Sequence, residues 1–248
     1  MLTLVLLFFA GIWAGLQNSL AGGGSFVTLP VLILSGMSPL AANITSTVAL
    51  FPGQVTTGLA GRKLVSGVGQ LSFRTLFAIS IFGGAVGGWL LLVTPSDIFS
   101  RLVPWLVLFA TIVFAWGNFG RKATDVAVVR LGPNGAGITQ FFIAIYGGYF
   151  GGGIGFLMMA ALSLAGMSTR NAAATKNALA GVMNAAAVTI FVTSPQVHWQ
   201  QAGVLGAGAI IGGLMGASAL HYVNEKALRI AVVCIGVVLT IALFAKPV

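Results

Sequence analysis

The sequence predicts an all-α integral membrane protein of two inverted repeats, each a glycine-tipped helical hairpin followed by three transmembrane helices. Three observations carry that prediction. Hydrophobic residues make up 58% of the chain and charged residues 6%, with a mean hydropathy of +1.03, which leaves too little polar surface to coat a water-soluble domain. A pattern of glycines and polar residues recurs at a nearly constant offset of 129 to 130 positions, the mark of an internal duplication. Basic residues gather in alternate loops between apolar runs, as cytoplasmic loops do.

The 248 residues leave room for about eight helices of roughly 20 residues, the length that crosses a hydrocarbon core. A net charge of +9 would suggest nucleic acid for a soluble chain; here it reads as a topology signal, and no nucleic-acid partner is expected. Residues 1–21 lack a basic leading segment and a small-residue cleavage pattern, so they are expected to stay in the mature protein. Cys234, the single cysteine, lies in an apolar run and is expected to be a packed, inert thiol, with no disulfide framework or metal cluster around it.

The apolar runs come in two matching sets. Those of the first half cover 1–21, 25–36, 39–61, 70–93 and 101–118; those of the second cover 135–150, 154–166, 169–193, 201–222 and 226–245. Residues 1–118 and 135–248 are therefore taken as two repeats joined by a basic, cytoplasmic linker, 119–134. Between the halves Gly22-Gly23-Gly24 recurs as Gly151-Gly152-Gly153, and Gly36-Met37-Ser38 as Gly166-Met167-Ser168. Ala42–Thr45 is echoed by Ala172–Thr175, and Gly83-Gly84 with Gly87 by Gly212-Gly213 with Gly216. The second run of each set is short, rising only about 18 to 20 Å as a helix. Each glycine triplet is thus expected at membrane depth, joining two arms that enter and leave on one side; two full crossings in their place would give the same loop sidedness. Three crossings then follow in each half, and an odd number inverts the second repeat.

Charge tests the same topology. One side collects Arg62, Lys63, Arg74, Arg121, Lys122, Arg130, Arg170, Lys226 and Arg229; the other holds Arg101 and Lys246. The positive-inside rule makes the first side cytoplasmic and puts both termini outside, in a multi-pass protein of the inner (plasma) membrane.

The chemistry at membrane depth is sparse. All three acidic residues, Asp97, Asp125 and Glu225, fall in predicted loops, so no carboxylate serves a proton relay or sodium site there. Lys176 is different. It lies about seven residues into an apolar run, and an intramembrane lysine marks a pore or ligand site unless it snorkels to the headgroups. The glycine triplets complement it. A helix that starts after Gly24 or Gly153 turns free N–H groups and a positive dipole end toward the hairpin tip, a site suited to anions. Inverted repeats would bring the two tips together near the midplane, as broken helices do in many transporters. Ser25 opens the first of these helices. Asn43, Thr45, Ser46 and Thr47 correspond to Ala173, Thr175, Lys176 and Asn177, and Gln54 to Asn184. Amides and hydroxyls can solvate an oxyanion, and Asn43 and Asn184 rank first because they are costliest to bury without a partner. The Gly83–Gly87 pair, by contrast, is read as close helix packing.

At these residues the chain resembles the sulfite exporter TauE/SafE family of membrane permeases. The resemblance rests on AGGGSFVTLPVLILSGMSPLAANITST and its repeat GGGIGFLMMAALSLAGMSTRNAAATKN, and covers nearly the whole chain. It implies an anionic substrate such as sulfite, a sulfonate or a related organosulfur anion.

The functional reading is a secondary transporter, an exporter, of a small anion, needing no cofactor or metal. An anion leaving a negative cytoplasm gains about 2.3 kcal/mol per charge per 100 mV, and no nucleotide-binding Gly-x-x-x-x-Gly-Lys-Ser/Thr occurs. An anion channel or a non-transporting subunit of a membrane complex is the alternative. An enzyme is not expected, because Ser25 has neither His198 nor His221 placed to activate it. The lipid bilayer and the small anion are the expected partners, and a homodimer is the assembly allowed for.

Overall fold

The computed structural model describes residues 1–20, 22–116, 119, 131–219 and 225–245. Among these the chain is all-α, with one isolated β-bridge between Val68 and Leu71. The first half contains α1 (Leu2–Leu20), α2 (Ser25–Leu34), α3 (Pro39–Ala60), α4 (Phe73–Val93) and α5 (Ser96–Ala115). The second contains α6 (Pro133–Tyr149), α7 (Ile154–Leu164), α8 (Thr169–Phe191), α9 (Trp199–Ala219) and α10 (Glu225–Ala245).

Local chemistry explains the repeated boundaries. In each Gly-Met-Ser block the glycine ends one helix and the serine starts the next. Gly36 and Gly166 take the left-handed conformation, with φ of 97° and 94°, which an L side chain disfavours. The following N–H groups turn back onto the helix, from Met37 to the Leu32 carbonyl at 3.3 Å and from Met167 to the Leu162 carbonyl at 3.0 Å. Ser38 and Ser168 then accept from the N–H of Ala41 and Asn171, capping α3 and α8. The helices α2 and α7, of 10 and 11 residues, rise about 15 to 17 Å, too little to cross a bilayer core.

Three expectations are corrected. Glu225, expected in a loop, is the first residue of α10, because a helix end tolerates charge where an apolar run does not. Helix α5 begins at Ser96, after Pro95, before its apolar run does, so Asp97 sits in its first turn and Arg101 on the helix. There the carboxylate faces the positive end of the helix dipole. Ser96, Asp97, Ser100 and Arg101 interrupt the hydropathy of these first turns, so the apolar run starts later than the helix. Cys234 is exposed on α10 rather than packed, since an apolar run in a membrane protein turns one face to lipid. Asp125, Arg121, Lys122, Arg130, His221 and Lys246, with most of the 119–134 linker, lie outside the described residues.

Leu2–Ser19, Phe73–Val93 and Ser96–Ala115 are long and apolar enough to cross a membrane. Helices α3 and α8, with 22 and 23 residues, are as long but carry more polar side chains, of which Asn43, Thr45, Ser46, Thr175, Lys176 and Asn184 are buried in protein. They run antiparallel against each other: Gly61 faces Ala174, Gly58 faces Ala178, and Gln54 bonds Asn184.

The largest packings are α1 on α9 and α4 on α6, followed by α3 on α9 and α4 on α8. Exchanging the halves turns each of these pairs into the other, while α3 on α8 and α5 on α10 map onto themselves. Thus α4 leaves its own half to pack with α6 and α8, and α9 leaves its half to pack with α1 and α3. Glycine makes both exchanges close. A Cβ on Gly87 would strike the Ile145 carbonyl of α6, and one on Gly212 the Ile12 carbonyl of α1, the backbone approach that small residues allow between helices in lipid.

Candidate functional site

Each hairpin tip is a helix end closed by glycine. The N–H of Gly22 donates to the Gln17 carbonyl at 2.9 Å, and that of Gly151 to the equivalent Tyr146 carbonyl at 3.2 Å. Both glycines are left-handed, with φ of 81° and 77°. Beyond this shared turn the tips differ. The first is pinned by side chains: Gln17 donates to the Gly23 carbonyl at 2.7 Å, and the Gly24 N–H donates to Asn18 Oδ1 at 2.7 Å. The second half has Tyr146 and Gly147 in place of those amides, and its α7 starts from a left-handed Gly153. Behind both tips, buried Phe114 of α5 lies between Phe26 of α2 and Phe156 of α7, with ring centroids 6.0 and 4.0 Å away.

A cavity of about 600 Å³, counted with its mouth, opens between the tips and the α3–α8 crossing. Its walls repeat the internal symmetry. Thr47 and Asn177, Leu50 and Ala180, Gln54 and Asn184 all line it, as do Gly22 and Gly151, Ser25 and Ile154. The cavity therefore straddles the meeting line of the halves. Across that line Asn184 Nδ2 donates to Gln54 Oε1 at 2.6 Å, while Asn184 Oδ1 is buried with no partner. Such an acceptor calls for a donor from water or a ligand.

Lys176 breaks the symmetry. It is 94% buried, with a relative exposure of 6%, and lines the cavity. Its Nζ lies beside both Gly22 and Gly155, close enough that a Cβ on either would be in contact with it. Among the described residues it forms no hydrogen bond or ion pair, and the two described acidic positions, Asp97 and Glu225, open other helices. Its first-half equivalent, Ser46, stays out of the cavity and shares a 2.5 Å hydrogen bond with Thr28.

Of the sequence candidates, Gly22, Gly23, Ser25, Thr47, Gln54, Gly151, Lys176, Asn177 and Asn184 line this cavity. The others are engaged elsewhere. Asn43 donates to the Tyr149 carbonyl at 3.0 Å, and Gly24 is held by Asn18. Thr45 accepts from the His198 N–H at 3.2 Å and donates to the Gln196 carbonyl at 3.4 Å. Thr175 does the same with the N–H and carbonyl of Ser66, at 3.2 and 3.4 Å. Each threonine thus pins the connection that carries the chain to the exchanged helix, α9 or α4. Gly153 packs on Ala110, and Gly152, which is not left-handed, faces the Phe150 ring.

Asn18, Leu50, Thr57, Ile154, Gly155 and Ala180 also line the cavity and were not singled out from the sequence. Helical spacing could have found half of them: Leu50 and Thr57 share a face with Thr47 and Gln54, and Ala180 lies between Lys176 and Asn184 on another.

A family model described as "Sulfite exporter TauE/SafE" matches residues 7–243. Among curated proteins, the chain is 27% identical to a "Probable membrane transporter protein" of Haemophilus influenzae, over 96% of this chain and 92% of that one. It is 28% identical to "Probable membrane transporter protein ORF9" of Sinorhizobium sp, covering 98% and 93%. It is also 28% identical to "Probable membrane transporter protein YfcA" of Escherichia coli K12, covering 96% and 88%. No solved structure matches.

Proposed function

Because the chain belongs to the sulfite exporter TauE/SafE family, and so is a membrane transporter rather than an enzyme, we propose that it exports a small organic or inorganic anion through a midplane site between inverted repeats. The observation that carries this reading is the buried ammonium of Lys176, without a described partner, in a cavity lined by both glycine tips. A cation withdrawn from water is stable only beside an anion or a wet cavity. An anion entering here would neutralise Lys176 and accept from the hydroxyl of Ser25 and the amide of Asn177, while the Thr47 hydroxyl is committed to the Asn43 carbonyl at 2.9 Å. The lysine's positive charge disfavours a metal cation in the same space.

The antiparallel α3–α8 crossing and the interchange of packings support inversion of the repeats. With the face carrying Arg62, Lys63 and Arg74 cytoplasmic, both termini lie outside and the protein resides in the inner (plasma) membrane. Thiol labelling of a cysteine introduced near residue 2 tests that orientation, and access from the cytoplasm alone would reverse it. Sulfite, a sulfonate and a related organosulfur anion are the substrates to try first, in keeping with the family description. Calorimetric titration of the purified protein with sulfite, sulfonates, carboxylates and sulfate tests the proposal. Binding of at least one of them that is lost in Lys176→Gln is the expected result; no binding by any member of the panel overturns it.

A further inference from the structure

A second cavity abuts the first. It is an open groove between α3, α4, α8 and the 61–72 connection, spans about 1000 Å³ including the space at its mouth, and shares Gln54 and Asn177 with the Lys176 cavity. The shared residues are a partition: one side faces the polar site, the other this wider space. The rest of its wall is mainly apolar, from Phe51 and Val55 of α3 to Phe73 and Phe77 of α4. The exception is Arg62, in the one-turn 3₁₀ helix Arg62–Leu64, whose exposed side chain makes no hydrogen bond or ion pair with a described residue. The connection that carries Arg62 is fastened to α8 by the pair of hydrogen bonds between Ser66 and Thr175, one residue from Lys176.

We propose that this vestibule is the anion's path between the Lys176 site and the face that bears Arg62, with Arg62 as the cation that collects or releases the anion at its mouth. The proposal rests on the preceding reading of the Lys176 cavity as an anion site. Three features suit the vestibule to passage rather than storage. It is wider than the site. Its apolar walls offer an anion no competing donors, so release is not held back once the amide partition is passed. A guanidinium at the mouth concentrates anions from solution, an effect worth about 10-fold or more in encounter rate where a field is focused by low-dielectric walls. A lipid chain is the rival occupant of such walls.

The test needs no transported substrate. In the full-length protein with Cys234→Ala, a cysteine is placed at Ala180, in the wall of the Lys176 cavity. Its rate of modification is then read with anionic and cationic methanethiosulfonate reagents of similar size, applied to each face of oriented vesicles. From the Arg62 face the anionic reagent is expected to react faster, and Arg62→Glu to reduce its rate relative to the cationic one about 10-fold. Gly181→Phe fills the vestibule at a position where an added Cβ meets only the Gln54 carbonyl oxygen, at an ordinary contact distance of 3.9 Å, and should slow both reagents from that face about 10-fold. Val55→Trp, at another point of the wall, guards against misfolding of one variant. Reaction rates indifferent to all three substitutions overturn the path, as does access to Ala180→Cys from the opposite face only, which is the result if lipid fills the vestibule. The site and the path fail separately. Loss of the path leaves anion titrations of the Lys176 site intact, whereas an anion panel that does not bind leaves the reagent rates as described.

Discussion

The two halves of this transporter are alike wherever the backbone is being shaped and unlike where a ligand would be met. Gly22 and Gly151 make the same turn, and Thr45 and Thr175 pin equivalent connections. Gln54 and Asn184 meet as partners 130 residues apart. At the position of Ser46 and Lys176 the halves part. The first satisfies its hydroxyl on Thr28 within the protein; the second buries an ammonium with no described partner. Matching positions of the two halves build the scaffold, and one position at which they differ supplies a charge. A single anion is therefore expected per chain, held nearer the second half's lysine than the first half's serine.

The strongest way to break this contrast is to remove the charge. Lys176→Gln should weaken anion binding by up to about 4 kcal/mol, the attraction of unit charges about 4 Å apart at an effective dielectric of 20, with desolvation subtracting from that ceiling. Lys176→Arg should restore charge without the fit, since a planar fork does not replace a compact ammonium. Titrations of both variants at matched ionic strength check this; an unchanged dissociation constant in the Gln variant would remove the lysine from the site.

A second comparison uses the exchanged helices. A Cβ at Gly87 meets the backbone carbonyl of Ile145, whereas at its counterpart Gly216 the nearest obstacle is the Ser19 hydroxyl, which can rotate away. Gly87→Ala should therefore destabilise by about 1–3 kcal/mol and Gly216→Ala by clearly less. Thermal midpoints in detergent would show it, and equal losses would mean the two interfaces yield equally.

Gly22→Val and Gly151→Val probe the shared turn. Each forces a branched residue into left-handed backbone, at about 1–2 kcal/mol, and narrows the cavity mouth. Membrane insertion should persist while anion binding falls in both. Binding retained by either variant would exclude that tip from the site. The smallest effect belongs to Ser46→Ala, which leaves the Thr28 hydroxyl only its 3.4 Å bond to the Gly24 carbonyl. A loss of about 1 kcal/mol in stability with anion affinity changed less than threefold is expected; a larger fall in affinity would mean that the first half contacts the anion after all.

Much of the architecture was legible along the chain because its causes are local. A hydropathic run needs only its own residues to declare a membrane helix. Gly-Met-Ser ends one helix and caps the next through bonds that reach no more than five residues, so its recurrence marked the helix boundaries in both halves. The tip glycines were legible for the same reason, and so was the oddity of Lys176, a charge with no place in an apolar run. Partners far apart in sequence were not legible. Asn43 ranked high as a ligand group, yet its amide bonds the Tyr149 carbonyl 106 residues away. Thr45 and Thr175 had the right chemistry for an oxyanion, and hold connections 151 and 109 residues distant instead. The exchange of α4 and α9 between halves left no trace in hydropathy, because a helix is equally apolar whichever partner it packs against. Sequence by itself determined which segments are helical and apolar, where they turn and where a charge is buried, since these follow from short-range hydrogen bonding and solvation. Tertiary structure alone decided which polar groups face the cavity and which are satisfied within the protein, because a side chain's free donors depend on neighbours that only folding brings near.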